Sequence, residues 1–349
     1  MSYTNGLDNP QLYFNTKIWT GNATERQISL DFQPDWVWIK NRTQTFQHIL
    51  TDSVRGATKE LFSSNNNPES TNAQDLKSFD SDGFTIGTDG NVNSNSQPIV
   101  GWSWKAGNSS GSSNSDGSIT STVSVSTDAG FSIVKYTGTG SNATVGHGLG
   151  AVPKMFITKR YDSASENWTM YHVGRGNTKY LFLNKTNAEG TDSSYWNNTT
   201  PTSSVFSIST NDNVNTSSGV YIAYCFAEKK GYSKFGSYTG NGQSTDGEEP
   251  FIYLGFKPAI IFYKRASDGT NNWSVFDNKR DPHNEIEKQL NPNISNAEGT
   301  SSRGDFLSNG WKIGGGNSGS INNSGSTYIY WAFAESPFVN SNGVPTNAR

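Results

Sequence analysis

The sequence contains a single cysteine, Cys225, in 349 residues, which excludes a disulfide framework within the chain. Set between Tyr224 and Phe226, that thiol reads as a small buried hydrophobe. Charge is scarce too: Asp, Glu, Lys and Arg make up 16% of residues and the formal net charge is -3. The basic residues are scattered, without the stripe that neutralises phosphates by counterion release, so nucleic acid is not an expected ligand. No stretch approaches the ~18 consecutive apolar residues of a spanning helix, and Met1-Ser2-Tyr3-Thr4-Asn5 has neither the basic nor the apolar region of a secretion signal. Membrane insertion and signal-led export are therefore not expected. Four histidines, His48, His147, His172 and His283, lie far apart without paired zinc spacing. There is no G-x-S-x-G elbow, P-loop or dinucleotide fingerprint, and GGGNSG from Gly314 reads as a hairpin loop. No cofactor, metal or catalytic residue is expected.

What the chain does have is aromatic. Only 32% of residues are hydrophobic and mean hydropathy is -0.66, values that would point to disorder without 10 Trp, 15 Tyr and 19 Phe. Solubility falls to Asn, Ser, Thr and Gly, a composition common in extracellular β-proteins.

The sequence also repeats itself at intervals of about 105 to 120 residues. Trp19-Thr20-Gly21, Tyr136-Thr137-Gly138 and Tyr238-Thr239-Gly240 open the copies. Pro34, Pro153 and Pro258 each begin a strand with Lys six positions later, at Lys40, Lys159 and Lys264. Arg55, Arg175 and Arg280 follow, with His48, Trp168 and Trp273 seven residues before them. Glu69, Glu189 and Glu298 lie eight residues after Leu61, Leu181 and Leu290, and aromatic strands end the copies at Ala106, Glu228 and Glu335. Apolar runs are short, β-branched or aromatic, and punctuated by Asn-Gly, Asp-Gly and Ser-Gly turns. No helix-length window keeps an apolar period of 3.6 residues. The expectation is an all-β chain of three tandem, jelly-roll-like β-sandwich domains from an internal triplication: 1–106, 118–228 and 229–335. A flexible Gly/Ser/Asn linker is expected over 107–117 and a coreless tail over 336–349.

Positions kept in all copies serve the common fold first, which assigns Lys40, Lys159, Lys264, Arg55, Arg175, Arg280, Glu69, Glu189 and Glu298 a structural role. Glycoside hydrolysis would need a second, recurring acid, and none recurs: Asp52 and Asp277 are matched by His172. Asp80 and Asp82 resemble part of a calcium loop, but the terminal Glu is missing and turn chemistry is the better account. Trp168 and Trp273 recur in register and read as core. Tyr161, Tyr195, Trp196 and Trp311 differ more between copies and are the candidate glycan contacts, since sugar rings stack on aromatic faces.

Taken together, YFNTKIWTGNA, FQPDWVWIKNR, DSVRGATKELFSSN, SFDSDGFTIG, VGWSWKAG, SDGSITSTVS and TNAEGT resemble a repeat-containing, tail-fibre-like family of structural proteins of tailed bacteriophages, especially marine ones. The resemblance spans nearly the whole chain. It implies a non-enzymatic virion protein, a tail fibre or tail-tip component for host attachment, assembled in the host cytoplasm and released by lysis. Other virion proteins and a host-surface glycan would be its partners, with a homo-oligomer, a trimer by the resemblance, as its form. A capsid decoration or head fibre is the alternative, and a glycan depolymerase a third reading. Copies two and three depart from the first copy's DSVRGA and FDSDGF phrases.

Overall fold

Each Pro-led strand is apolar on both faces because its two faces meet different cores. In the computed structural model, which describes residues 7–245, 248–314 and 319–345, these strands are Trp36–Asn41, Met155–Arg160 and Phe256–Arg265. Val37 and Ile39 point into a cluster with Ile28, Phe84 and Ile99, whereas Trp36 and Trp38 point the opposite way. Phe156 is divided from Met155 and Ile157 in the same manner, and Ile261 and Tyr263 from Ile260 and Phe262. Side chains alternate along a strand, so a run without polar residues requires burial on both sides.

One strand order recurs in the three inner sheets. An opening strand pairs with the closing aromatic strand, which pairs with the Pro-led strand, always antiparallel. In the first segment these are Phe14–Thr20, Pro98–Trp104 and Trp36–Asn41. The second has Phe131–Thr137, Val220–Phe226 and Met155–Arg160, and the third Ser233–Thr239, Thr327–Pro337 and Phe256–Arg265. Smaller sheets lie outside: Arg26–Ser29, Gly83–Ile86 and Leu76–Asp80; Ala143–Gly146 with Val205–Ile208; and Phe251–Tyr253, Gly310–Ile313 and Gly304–Leu307. The fold is all-β and sandwich-like, as expected.

Behind the inner sheets a single apolar cluster takes residues from all three segments. Trp104, Phe226 and Phe333 hold matching positions, opposite Trp36, Met155 and Ile260. Trp36 stacks on Tyr224 with ring centroids 4.4 Å apart, and Phe14 on Phe333 at 5.2 Å. Hydrogen bonds between segments run in a ring. The backbone N–H of Glu69 donates to the Tyr161 carbonyl, that of Glu189 to Ala266, and that of Glu298 back to Arg42. The Trp168 and Trp273 indoles donate to the carbonyls of Phe62 and Phe182 at 2.8 and 2.9 Å. The three segments thus share a core and bond to one another in a closed ring.

Residues 107–117 differ from the flexible coil expected of them. The Asn108 N–H bonds Asp35 at 3.0 Å, the Ser53 hydroxyl bonds the Ser109 carbonyl at 3.0 Å, and Ser112–Asn114 adds a strand to the second inner sheet. Composition describes the freedom of an isolated segment, and edge pairing removes it here. The tail is likewise docked: the Phe338 N–H bonds the Gly255 carbonyl and the Ser341 N–H bonds Asp8 at 2.7 Å, while Val339 bridges Pro345 within the tail itself. Residues 346–349, and 315–318 of the GGGNSG loop, lie outside the described residues.

The Thr-Gly pairs have a steric cause. A Cβ on Gly21, Gly138 or Gly240 would lie 2.0, 2.3 or 2.4 Å from a carbonyl oxygen of Ser94, Thr216 or Asn323, in the loop that crosses there. That loop carries a buried asparagine, Asn93, Asn215 or Asn322. Each side-chain oxygen accepts the N–H following the glycine, from Asn22, Thr139 or Asn241, and each amide donates to loop carbonyls. These asparagines recur unnoticed in a sequence where Asn is common.

Candidate binding platform and cleft

The repeat-retained lysines lie near the ends of the Pro-led strands, and the arginines and glutamates in the turns and seams beside them. Lys40, Lys159 and Lys264 are buried, and each Nζ donates to nearby loop carbonyls, including Asn41 and Gln44, Arg160 and Glu166, or Arg265 and Asp268. Burial pushes each ammonium down to about 8. Arg55 lies between Asp52 at 2.6 Å and Glu69 at 3.2 Å, and Arg280 between Asp277 at 2.5 Å and Glu298 at 3.0 Å. Partners from adjacent segments complete these groups. The Tyr224 hydroxyl donates to Asp52 at 2.7 Å, the Trp102 indole to Asp277 at 3.0 Å, and Arg42 to both oxygens of Glu298 at 2.6 and 2.9 Å.

In the second segment Arg175 pairs with Glu189, and His172 stands where the others have Asp. His172 Nδ1 accepts the Gly174 N–H at 3.1 Å, and Nε2 meets the Tyr330 carbonyl of the third segment at 3.1 Å, which requires a proton on Nε2. Burial lowers its pKa to about 4, from an ordinary ~6.5. The neutral ring therefore contributes stability that is complete above pH ~6.5 and lost as pH falls towards the folded-state value, about 3 kcal/mol in the limit. His172→Gln is expected to flatten that part of the pH–stability curve. Urea melts of both proteins at several pH values check this, and parallel curves would refute it.

The sequence-predicted contact residues are placed elsewhere than expected. Trp196 and Trp311 are 1% exposed and Tyr195 is 4% exposed. Their polar ends are taken or covered: the two indoles donate to the carbonyls of Lys179 and Arg303 at 3.0 Å, and Tyr195 stacks on Tyr180 at 3.8 Å. Tyr161 is half-buried against the shared core. These aromatics vary between copies because each sandwich fills its own interior, so variation marked packing here rather than contact. Asp80 accepts from the Ser78 and Thr85 hydroxyls at 2.7 Å, and Asp82 from Gln27 at 2.7 Å. Among the described residues no group of three His, Cys, Asp or Glu could hold a metal.

The exposed aromatic face lies on the outer sheet of the third segment. Ile252, Trp311 and Phe306 point inward, so their strand neighbours point out. Tyr253, Gly310 and Leu307 form one cross-strand row, and Phe251, Lys312 and Asp305 the next. Phe251 is 46% and Tyr253 60% exposed, with Leu307 also at the surface. Gly310 has no alternative: a Cβ there would lie 2.7 Å from the Phe251 ring and 2.3 Å from the Ile252 carbonyl. The matching rows of the first segment read Ser29, Gly83, Asp80 and Gln27, Thr85, Ser78. The same backbone frame is therefore polar in the first segment and aromatic in the third.

Tyr253 also forms a wall of a cleft of about 460 Å³, within the size range of small-ligand sites. Leu254, Phe338 and Val339 line its apolar side, and Glu228 and Lys234, paired at 2.9 Å, its polar side. Sequence reasoning missed this site. Setting Arg26-Gln27-Ile28-Ser29 beside Pro250-Phe251-Ile252-Tyr253 would have revealed it, but only with the register of the outer strands known.

A family model described as a domain of unknown function (DUF7483) matches residues 9–337. No curated protein and no solved structure matches the chain.

Proposed function

The chain belongs to the DUF7483 family, a domain of unknown function, and on that premise we propose that it is a non-enzymatic structural protein of a tailed-phage virion. Its role in this reading is that of a tail-fibre or tail-tip component that attaches the particle to a host-surface glycan. The observation that carries attachment is the Phe251 and Tyr253 platform, since large aromatics left in water on a sheet face suit a stacking ligand. The virion assignment is supported by the ordered sequence phrases and their resemblance to tail-fibre-like proteins. Other virion proteins are its partners, and the virion, released by lysis, is its location. A homotrimer is the form the resemblance suggests.

A capsid decoration or head fibre is the second reading, in which the platform holds environmental polysaccharide. A depolymerase is less well supported. It needs two carboxyls flanking a substrate groove, whereas Glu228 of the cleft is engaged by Lys234. Burial and the neighbouring Glu60 and Asp89 push Asp75 well above the carboxylate range, but these groups lie outside the cleft lining.

Cryo-electron microscopy of the intact virion tests the assignment. Density at the tail with a free end is the expected result. Density on the capsid would overturn the tail-fibre reading.

A further inference from the structure

We propose that the platform and the cleft form one extended site for a neutral polysaccharide chain, an inference that rests on the attachment reading above. Phe251 and Tyr253 are two residues apart on one strand, so their side chains leave the same face roughly 7 Å apart. Leu307 lies across Gly310 from Tyr253 and widens the apolar strip. Tyr253 joins the two halves, because it belongs to the exposed row and also lines the cleft. A chain laid over Phe251 and Tyr253 enters the cleft at Tyr253, where Leu254, Phe338 and Val339 supply the apolar part of the lining.

The polar groups along this strip decide the ligand class. Lys234 is held by Glu228 at 2.9 Å, and Lys312 by Glu249 at 3.2 Å. The Glu228 carboxylate also accepts the Phe235 N–H at 3.3 Å. Such pairs present donors and acceptors at fixed positions, which suits sugar hydroxyls. They offer little net field to an acidic or cationic chain, whose charge would have to displace an existing partner. Lys230 also lines the cleft, and an acidic chain is the competing outcome. In the first segment the matching positions are Gln27, Ser29 and Asp80, a polar surface without stacking faces.

The test uses the full-length protein and defined hexasaccharides of glucose, mannose and galactose, with a galacturonate hexamer as the acidic probe, in isothermal titration calorimetry. Binding of at least one neutral hexasaccharide is expected, with little change on raising salt. Tyr253→Ala and Phe251→Ala are each expected to weaken it about tenfold, with unchanged thermal midpoints because both side chains are exposed. Wild-type affinity in both variants would overturn the inference. So would preference for the galacturonate with steep salt dependence, or no binding of any neutral probe. The virion map fails or succeeds separately: tail density without neutral-sugar binding overturns only this inference, and capsid density with such binding overturns only the tail assignment.

Discussion

Replacing Arg280 by Met is expected to destabilise the protein by about 3–5 kcal/mol. The guanidinium lies against Asp277 at 2.5 Å and Glu298 at 3.0 Å, donates to the Val275 carbonyl at 3.0 Å, and sits 5.6 Å from the Trp102 ring. Its side chain and that of Asp277 are both 0% exposed. Methionine fills much of the volume but leaves Asp277, fully out of water, without its cation, while Glu298 keeps Arg42. The loss arises from the stranded Asp277 charge more than from the net value of the pair, so the combined variant Arg280→Met, Asp277→Asn, which removes that charge and keeps a side-chain oxygen for the Trp102 indole, is expected to lose less than the single one. Guanidinium melts of the two proteins check this. A single variant within 1 kcal/mol of the parent, by an order-of-magnitude reading of surface pairs, would show that the seam is hydrated in solution.

Trp36→Ala carries the second large effect, about 3–5 kcal/mol from lost burial and the cavity left behind. Trp36 is 2% exposed and lies within ring-contact distance of Trp38 and Trp104 in its own segment and of Phe131, Tyr224 and Phe226 in the next. Because that cluster also includes Phe14 stacked on Phe333, damage in the first segment reaches the other two. Calorimetry should therefore show one transition moving to lower temperature as a whole. A separate early transition confined to a third of the unfolding enthalpy would be evidence for three independent cores and against a shared one.

Much of the strand content was legible beforehand, because aromatic and β-branched runs bounded by Asn-Gly and Asp-Gly turns have few other solutions. Trp36-Val37-Trp38-Ile39 announced burial on two sides, though not what lay on either. The Thr-Gly pairs were visible as a pattern, but their cause, a crossing loop pinned by Asn93, Asn215 or Asn322, was hidden by the abundance of asparagine. The contact residues were the clearest miss. Trp196 and Trp311 differ between copies yet are buried, while Phe251 and Tyr253, which no sequence pattern singles out, are exposed. Alternation says which residues share a face but not which face meets water.

By itself the sequence determined the strand-rich class, the threefold recurrence of its motifs, and the set of charged residues kept in each copy. Those properties follow from local periodicity and spacing, which a linear chain carries in full. Only the tertiary structure decided that the second face of each inner sheet is buried against the other segments, that Glu298 reaches back to Arg42 across 256 positions, and that one outer sheet turns its aromatics outward. Those outcomes depend on which surfaces meet after folding, and contacts between residues so distant in sequence leave no periodic trace in it.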